Sequence, residues 1–249
     1  MTIWVDSTSL RWRTELRFFE QRAGLLRHFD DQNILQAFLW NEQSVELRIG
    51  DFTTIVIEPT GMSITVSTPK KPSSECDIVL NSTMEYLKPK DVAMGPTQYR
   101  VLVELEDEGV AAQRRSAELF PGSKVTESNY LDWALLVDGQ SLSIEKSYQV
   151  EFGIMSPGEA ERRLNGTRQS LRMNHNDGMK PVDVGNLPEN SLYLNWWWQS
   201  LERLPDEGVL TRAHEHWNGM EAETIRVSAS ICDQLGLHAR INSPMEDGK

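Results

Sequence analysis

The feature that most constrains this chain is a two-residue alternation running from Leu142 to Phe152. Leu142, Ile144, Tyr148, Val150 and Phe152 fall on one side, and Ser143, Glu145, Ser147, Gln149 and Glu151 on the other. That is the pattern of a long strand with one dry and one wet face. Lys146 alone intrudes on the apolar side and marks a bend or bulge. A long one-sided strand belongs in an antiparallel sheet covered on one face, which argues against a doubly wound nucleotide-binding fold. Just upstream, Asp138-Gly139 suits a type I′ turn. The expected hairpin pairs Val137 with Gln140, so that Leu135 faces Leu142, Trp133 faces Ile144 and Leu131 faces Lys146.

Similar alternation recurs upstream. Val45, Leu47 and Ile49 alternate with polar residues, Phe52 to Glu58 is β-rich, and Met62, Ile64 and Val66 follow a Pro59-Thr60-Gly61 turn. Three antiparallel strands in a meander are predicted there, with another strand through Tyr99, Val101, Val103 and Leu105. Near the N-terminus a short strand over Leu10 to Phe19 and a helix toward Leu39 are expected. Glu108 to Phe120 reads as a helix closed by Pro121-Gly122. Ser156-Pro157-Gly158-Glu159 combines an N-cap, a first-turn Pro and a Glu at the third helical position, which predicts a short helix to Leu164. Thr167 to Asn190 is turn-rich. Pro205 to Trp217 and Met220 to Leu235 read as helices, the second with Met220, Thr224, Val227, Ile231 and Leu235 on its apolar side and Glu223 and Arg226 on its wet side.

The prediction is an α+β fold: antiparallel sheet or sheets with flanking helices and a helical C-terminal region. Residues 1–165 are mainly antiparallel β with helices, 166–190 a connection, 191–241 the helical region packed on the same fold, and 242–249 a polar tail. Two points stay open at this level: whether the β region is one sheet or two similar modules, and whether Ser191 to Leu204 is helix or strand.

Charge narrows the functions. With 25 Lys and Arg against 37 Asp and Glu, the net charge is −12, which opposes general nucleic-acid binding. Two cysteines, Cys76 and Cys232, are too few for a disulfide framework or a four-Cys zinc site. No segment nears 18 uninterrupted apolar residues, so no membrane span is expected. Met1 to Ser7 lacks a basic stretch followed by an apolar one, and a cytoplasmic location is expected.

Motif chemistry is sparse. There is no Gly-x-Ser-x-Gly elbow, no phosphate-binding Gly-x-x-x-x-Gly-Lys loop and no Gly-x-Gly-x-x-Gly. His214 and His216, two apart on a helix, point about 200° from one another and cannot share one ion. His175 and Asp177 could converge only if their segment is extended or looped. No metal site and no cofactor is predicted. Arg162, Arg163, Arg168, Arg172 and Lys180 form a basic stretch suited to a phosphate or to acidic groups of a partner. Trp196-Trp197-Trp198 is the oddest run. In either geometry three adjacent indoles cannot share one face, so at least one of them serves a second layer or another chain. If the run is a strand, Leu192, Leu194, Trp196 and Trp198 face one way and Trp197 the other. Tyr193, Trp196 and Trp197 are therefore the candidate interface residues.

The ending Leu192-Tyr-Leu-Asn-Trp-Trp, a short connection, and a helix carrying His214 resembles the ending of a sporadically distributed bacterial family of uncharacterised proteins. The likeness covers the last quarter of the chain. That family favours acidic residues where this strand has Asn195 and Trp197. The resemblance implies a bacterial source and an α+β architecture and transfers no catalytic residue. Two functions from different classes follow. The first is a non-enzymatic protein-interaction or assembly subunit with a protein partner or a homo-oligomeric state. The second is a hydrolase or other polar-site enzyme using His175, Asp177 and His214, with a metal as an option.

Overall fold

The computed structural model describes residues 1–34, 37–49, 53–66, 74–105, 135–166, 191–200 and 202–237. In chain order the elements are β1 (Thr2–Arg11), α1 (Arg17–Asp31), β2 (Ala37–Trp40), β3 (Val45–Ile49), β4 (Thr53–Glu58), β5 (Gly61–Val66) and α2 (Ser74–Leu87). There follow β6 (Ala93–Met94), β7 (Thr97–Glu104), β8 (Leu135–Ser141), β9 (Lys146–Met155), α3 (Pro157–Gly166), β10 (Ser191–Gln199) and α4 (Val209–Gln234). All ten strands form one sheet, in the order β2-β3-β4-β5-β1-β7-β10-β9-β8, with the short β6 beside β1. Every strand pairing among the described residues is antiparallel. The fold is α+β, and the question of one sheet or two is answered by continuity: β1 pairs with β7 and joins the halves.

Alternation decides which residues meet. Val45, Leu47, Ile49, Ile55, Ile57, Met62, Ile64, Val66, Leu10, Tyr99, Val101, Val103, Leu192, Leu194, Trp196, Trp198, Val150, Phe152 and Ile154 all belong to one buried cluster with residues of α1, α2 and α4. That face is the core. The opposite face carries a small second cluster, Leu102, Met155, Tyr193 and Ala160, under α3. No helix among the described residues is long and apolar enough to cross a membrane.

Several expectations change. The first strand is Thr2–Arg11 rather than Leu10 to Phe19, and the helix ends at Asp31, well short of Leu39. The predicted helix at Glu108 to Phe120, the connection from Thr167 and the tail lie outside the described residues. Residues 191–199, placed in a helical region by the sequence reading, form β10, paired on both sides by β7 and β9. Three bulky aromatics, Tyr193, Trp196 and Trp198, suit a pleated surface with two covered faces. The two predicted C-terminal helices are one helix of 26 residues. Its wet side is also revised, since Glu223 is buried. The α2 helix was not anticipated, because a mixed run such as Cys76 to Leu87 has no clean period.

The hairpin is the most instructive correction. Asp138-Gly139 lies inside β8, and the chain turns at Leu142 to Glu145, where Glu145 adopts φ 52°. Leu135 pairs with Phe152 and Ser141 with Lys146. The shift from the expected pairing is even, so the paired side chains from Lys146 to Phe152 keep their faces, whereas Leu142, expected on the dry face, falls in the turn and is exposed. Gly139 is used for space instead of turn geometry: a Cβ there would lie 2.4 Å from Tyr148 Cζ. Lys146 is the first residue of β9 and is no bulge.

Candidate functional site

The three tryptophans divide as strand alternation requires. Trp196 and Trp198 point into the core, stacked with centroids 5.9 Å apart, and Tyr148 packs within 5.1 Å of both. Their indole nitrogens donate to α4: Trp196 to Ser228 Oγ at 3.2 Å and Trp198 to Thr224 Oγ1 at 2.7 Å. The spacing matches. Two residues of strand advance about 6.6 Å and four of helix about 6 Å, so hydroxyls at i and i+4 meet indoles at j and j−2. Thr224 in turn donates to the Met220 carbonyl at 2.7 Å. Tyr99 completes the attachment, its hydroxyl donating to the Trp217 carbonyl at 2.7 Å. Burial first, then the nearby Glu221, pushes the Tyr99 hydroxyl pKa well up. Trp196 and Tyr193 therefore occupy internal layers of this chain and do not reach a surface. Trp197 is half-buried on the opposite face.

That opposite face has its own order. Chaining the registers gives one transverse row across eight strands: Arg48, Thr54, Thr65, Ser7, Gln98, Trp197, Gln149 and Asp138. Trp197 is the one aromatic in it. Two amides of the row are oriented by neighbours, Gln98 Nε2 donating to Asn195 Oδ1 at 2.7 Å and Gln149 Nε2 to Asp138 Oδ1 at 2.9 Å. Beside the row, on β1 and β5, a cleft of about 570 Å³ is lined by hydroxyls including Ser7, Ser9, Thr60 and Ser63.

The basic stretch is engaged internally where it is described. Arg162 donates twice to Glu159, at 2.7 and 2.5 Å. Arg163 donates to Glu159 at 2.8 Å and pairs with Glu151. The Arg162 hydrogen bond holds the Glu159 carboxyl below its ordinary pKa, against the opposing effect of burial. Buried Arg100 donates to the Arg163 carbonyl at 2.7 Å, which ties α3 to the sheet. Arg168, Arg172 and Lys180 lie outside the described residues.

At the end of the sheet, two clasps fix the β8–β9 hairpin. Lys146 Nζ, almost wholly buried, donates to Glu202 at 2.7 Å and to Ser200 at 3.3 Å, and His216 Nε2 sits 3.3 Å from the other Glu202 oxygen. The Lys146 bond holds the Glu202 carboxyl below its usual range. Ser141 Oγ donates to Glu223 at 2.5 Å, and Arg226 grips the same carboxylate at 2.6 and 2.7 Å. These bonds, Arg226 first, bring the Glu223 pKa down to about 2 despite its burial.

The enzyme candidates do not assemble among the described residues. His214 faces Asp77 at 3.2 Å and stands edge-on to Trp217, while His175 and Asp177 lie outside the described residues. Among the described residues no group of three or more His, Cys, Asp and Glu is arranged to hold a metal. Cys232 is buried and its thiol is pushed up to about 11, mainly by desolvation, so it is a poor nucleophile.

The surface feature that sequence reasoning missed is β8. Among the described residues it is paired only by β9 and forms one edge of the sheet. Leu136 is 60% exposed, Val137 41% and Leu142, at the turn, 88%. The signal was present in the order Leu135-Leu136-Val137, but the misplaced turn assigned that run to a hairpin interior. Compared with known proteins, the sequence matches no family model and no curated protein.

Proposed function

We propose that this chain is a non-enzymatic protein-interaction subunit that associates with itself, of bacterial origin and cytoplasmic location. The observation that carries the reading is β8, the outermost strand at its end of the sheet among the described residues, with Leu136 and Val137 exposed. Isolated apolar residues are ordinary on surfaces, but an apolar edge strand exposes unpaired N–H and C=O groups as well and is a template for association. The charged side chains support the same reading. Lys146 with Glu202, Ser141 with Glu223 and Arg163 with Glu151 hold separate elements together. Partner-binding through Trp197 and its polar row is compatible with this role, since a half-buried Trp with a polar surround is common interface chemistry.

Light scattering over a dilution series, with metal analysis on the same sample, tests the reading. The expected result is a metal-free species whose mass falls toward 28.4 kDa on dilution. A monomer at every concentration, loaded with stoichiometric metal, would overturn it in favour of the polar-site enzyme.

A further inference from the structure

The cations of this chain divide unevenly between engaged and free. Arg163 is held by Glu151 and Glu159, Arg203 by Asp91, Arg212 by Glu215 and Arg226 by Glu223. Among the described residues, the Lys and Arg side chains with no hydrogen bond or ion pair are Arg11, Arg13, Lys88 and Lys90, and all four are exposed. They come from two distant stretches, the end of β1 and the link from α2 to β6, which the fold brings together. Arg11 pairs with Ala93, and the Arg13 N–H donates to the Lys90 carbonyl at 3.1 Å. We infer that this corner, with the hydroxyl-lined cleft beside it, is the docking surface for an acidic segment of a protein partner. The inference rests on the protein-interaction reading above, though not on self-association.

Charge is the first observation that selects this occupant. In a chain of net charge −12, a group of unpaired cations is where an acidic partner meets attraction instead of repulsion. Two nearby acids are already engaged: Glu15 accepts from the Arg17 N–H at 3.0 Å, and Asp91 pairs with Arg203. Apolar surface is the second. Leu16, three residues from Arg13, is 71% exposed and Phe19 45%. An apolar anchor beside cations is the chemistry of protein recognition.

Shape is the third. The cleft of about 570 Å³ has Arg11 on one wall and Glu58 on the other. Both lie in one transverse row with Gly61 between them, two strand spacings or about 10 Å apart, and they form no ion pair. Gly61 leaves the middle of that row open, and a Cβ there would lie 2.6 Å from the Leu10 carbonyl oxygen, so the position is kept to glycine. In the next row Ser9 faces Ser63 and supplies hydroxyls to the same cleft. The far wall is fixed in advance: the Trp12 indole donates to the Pro59 carbonyl at 3.1 Å, and the Trp12 backbone N–H to the Thr60 carbonyl at 3.0 Å. A fixed site loses less entropy on binding. A flat membrane cannot enter this concave surface. A long polyanion would meet the negative field around it, whereas a short acidic segment feels only charges within about 8 Å at physiological salt.

The test titrates the full chain into a short fluorescein-labelled peptide of glutamates around one leucine and reads fluorescence anisotropy. A lysine peptide of the same length is the control. The glutamate peptide is expected to bind and the lysine peptide not to, with affinity falling as salt rises. Arg13→Glu with Lys90→Glu is expected to weaken binding about tenfold or more, and Leu16→Asp several-fold. Arg212→Glu, which reverses an exposed cation on α4, is expected to leave it unchanged. No binding of the glutamate peptide, or binding that Arg13→Glu with Lys90→Glu leaves intact, overturns the inference. Capture by phosphatidylserine vesicles that the same double variant abolishes and the peptide does not compete for overturns it in favour of a membrane surface. Light scattering on the same samples separates the two readings. A monomer that binds the peptide refutes self-association alone, and an oligomer that ignores it refutes the acidic-segment surface alone.

Discussion

The two halves of the sheet share a plan and differ in what holds it. In the N-terminal half, β1 pairs with β5, the last strand of its meander, and α2 follows. In the C-terminal half, β7 pairs with β10, again the last strand of its set, and α4 follows. The first half is closed by aliphatic packing: Val45, Leu47, Ile49, Ile55, Ile57 and Ile64 share one buried cluster with residues of α1 and α2. The second is closed by direction: two indoles and a phenol bond to fixed points along α4, and Lys146 and Glu223 clasp the hairpin. Aliphatic packing tolerates small slides between layers, whereas a buried N–H to hydroxyl bond loses its partner if α4 moves by one residue. The C-terminal half should therefore be the more specified and the more sensitive to single polar changes.

The sharpest test of that contrast is Trp196→Ala, which empties a fully buried site and is expected to cost about 3–5 kcal/mol in urea unfolding. Ile55→Val in the N-terminal half removes one methylene and should cost only about 0.5–1.5 kcal/mol. Between them falls Thr224→Val. It preserves volume but leaves the Trp198 N–H buried without an acceptor, for an expected loss of about 1–3 kcal/mol. If Thr224→Val costs no more than Ile55→Val, the distinction between packing and directed bonding fails.

A pH series sharpens the same comparison. The Glu223 carboxyl is lowered from 4.5 to about 2 by Arg226 and Ser141. Its contribution is thus fully present above pH 4.5 and is lost as pH falls through about 2. Glu223→Gln should flatten the fall in urea midpoint across that window, and an unchanged acid profile would show that the clasp adds nothing. The smallest effect is expected at Trp197→Ala, within about 1 kcal/mol of wild type, because its ring is half-buried on the outer face.

Much of the sheet was legible because alternation is a local property. Val45 to Ile49, Met62 to Val66 and the face assignments of β9 follow from period two alone, and Ser156 with Glu159 announces α3, where the Glu159 N–H meets Ser156 Oγ at 3.4 Å. The interface candidates were less legible. Tyr193, Trp196 and Trp197 are neighbours in sequence, yet Tyr193 packs under α3, Trp196 under α4, and only Trp197 retains exposure. Of the α4 stripe expected from sequence, Met220 and Thr224 are fully buried and Val227, Ile231 and Leu235 only partly, while Ser228 and Cys232, outside that stripe, are buried as well. Small polar residues reach the core there because the indoles opposite supply both bulk and donors, which no property of the helix itself reveals.

The sequence by itself determined the α+β class, the antiparallel pairing implied by one-sided strands, and which side of β3, β5, β7 and β9 faces the core, since these depend only on periodicity and on the cost of wetting apolar groups. Tertiary structure alone decided the hairpin register, the use of Gly139 as room for Tyr148, the burial of Lys146 and Glu223, and the exposure of β8. The physical reason is common to all four. Each depends on which distant group lies opposite, and an even shift in register or a rotation of a helix changes that partner without disturbing the local pattern.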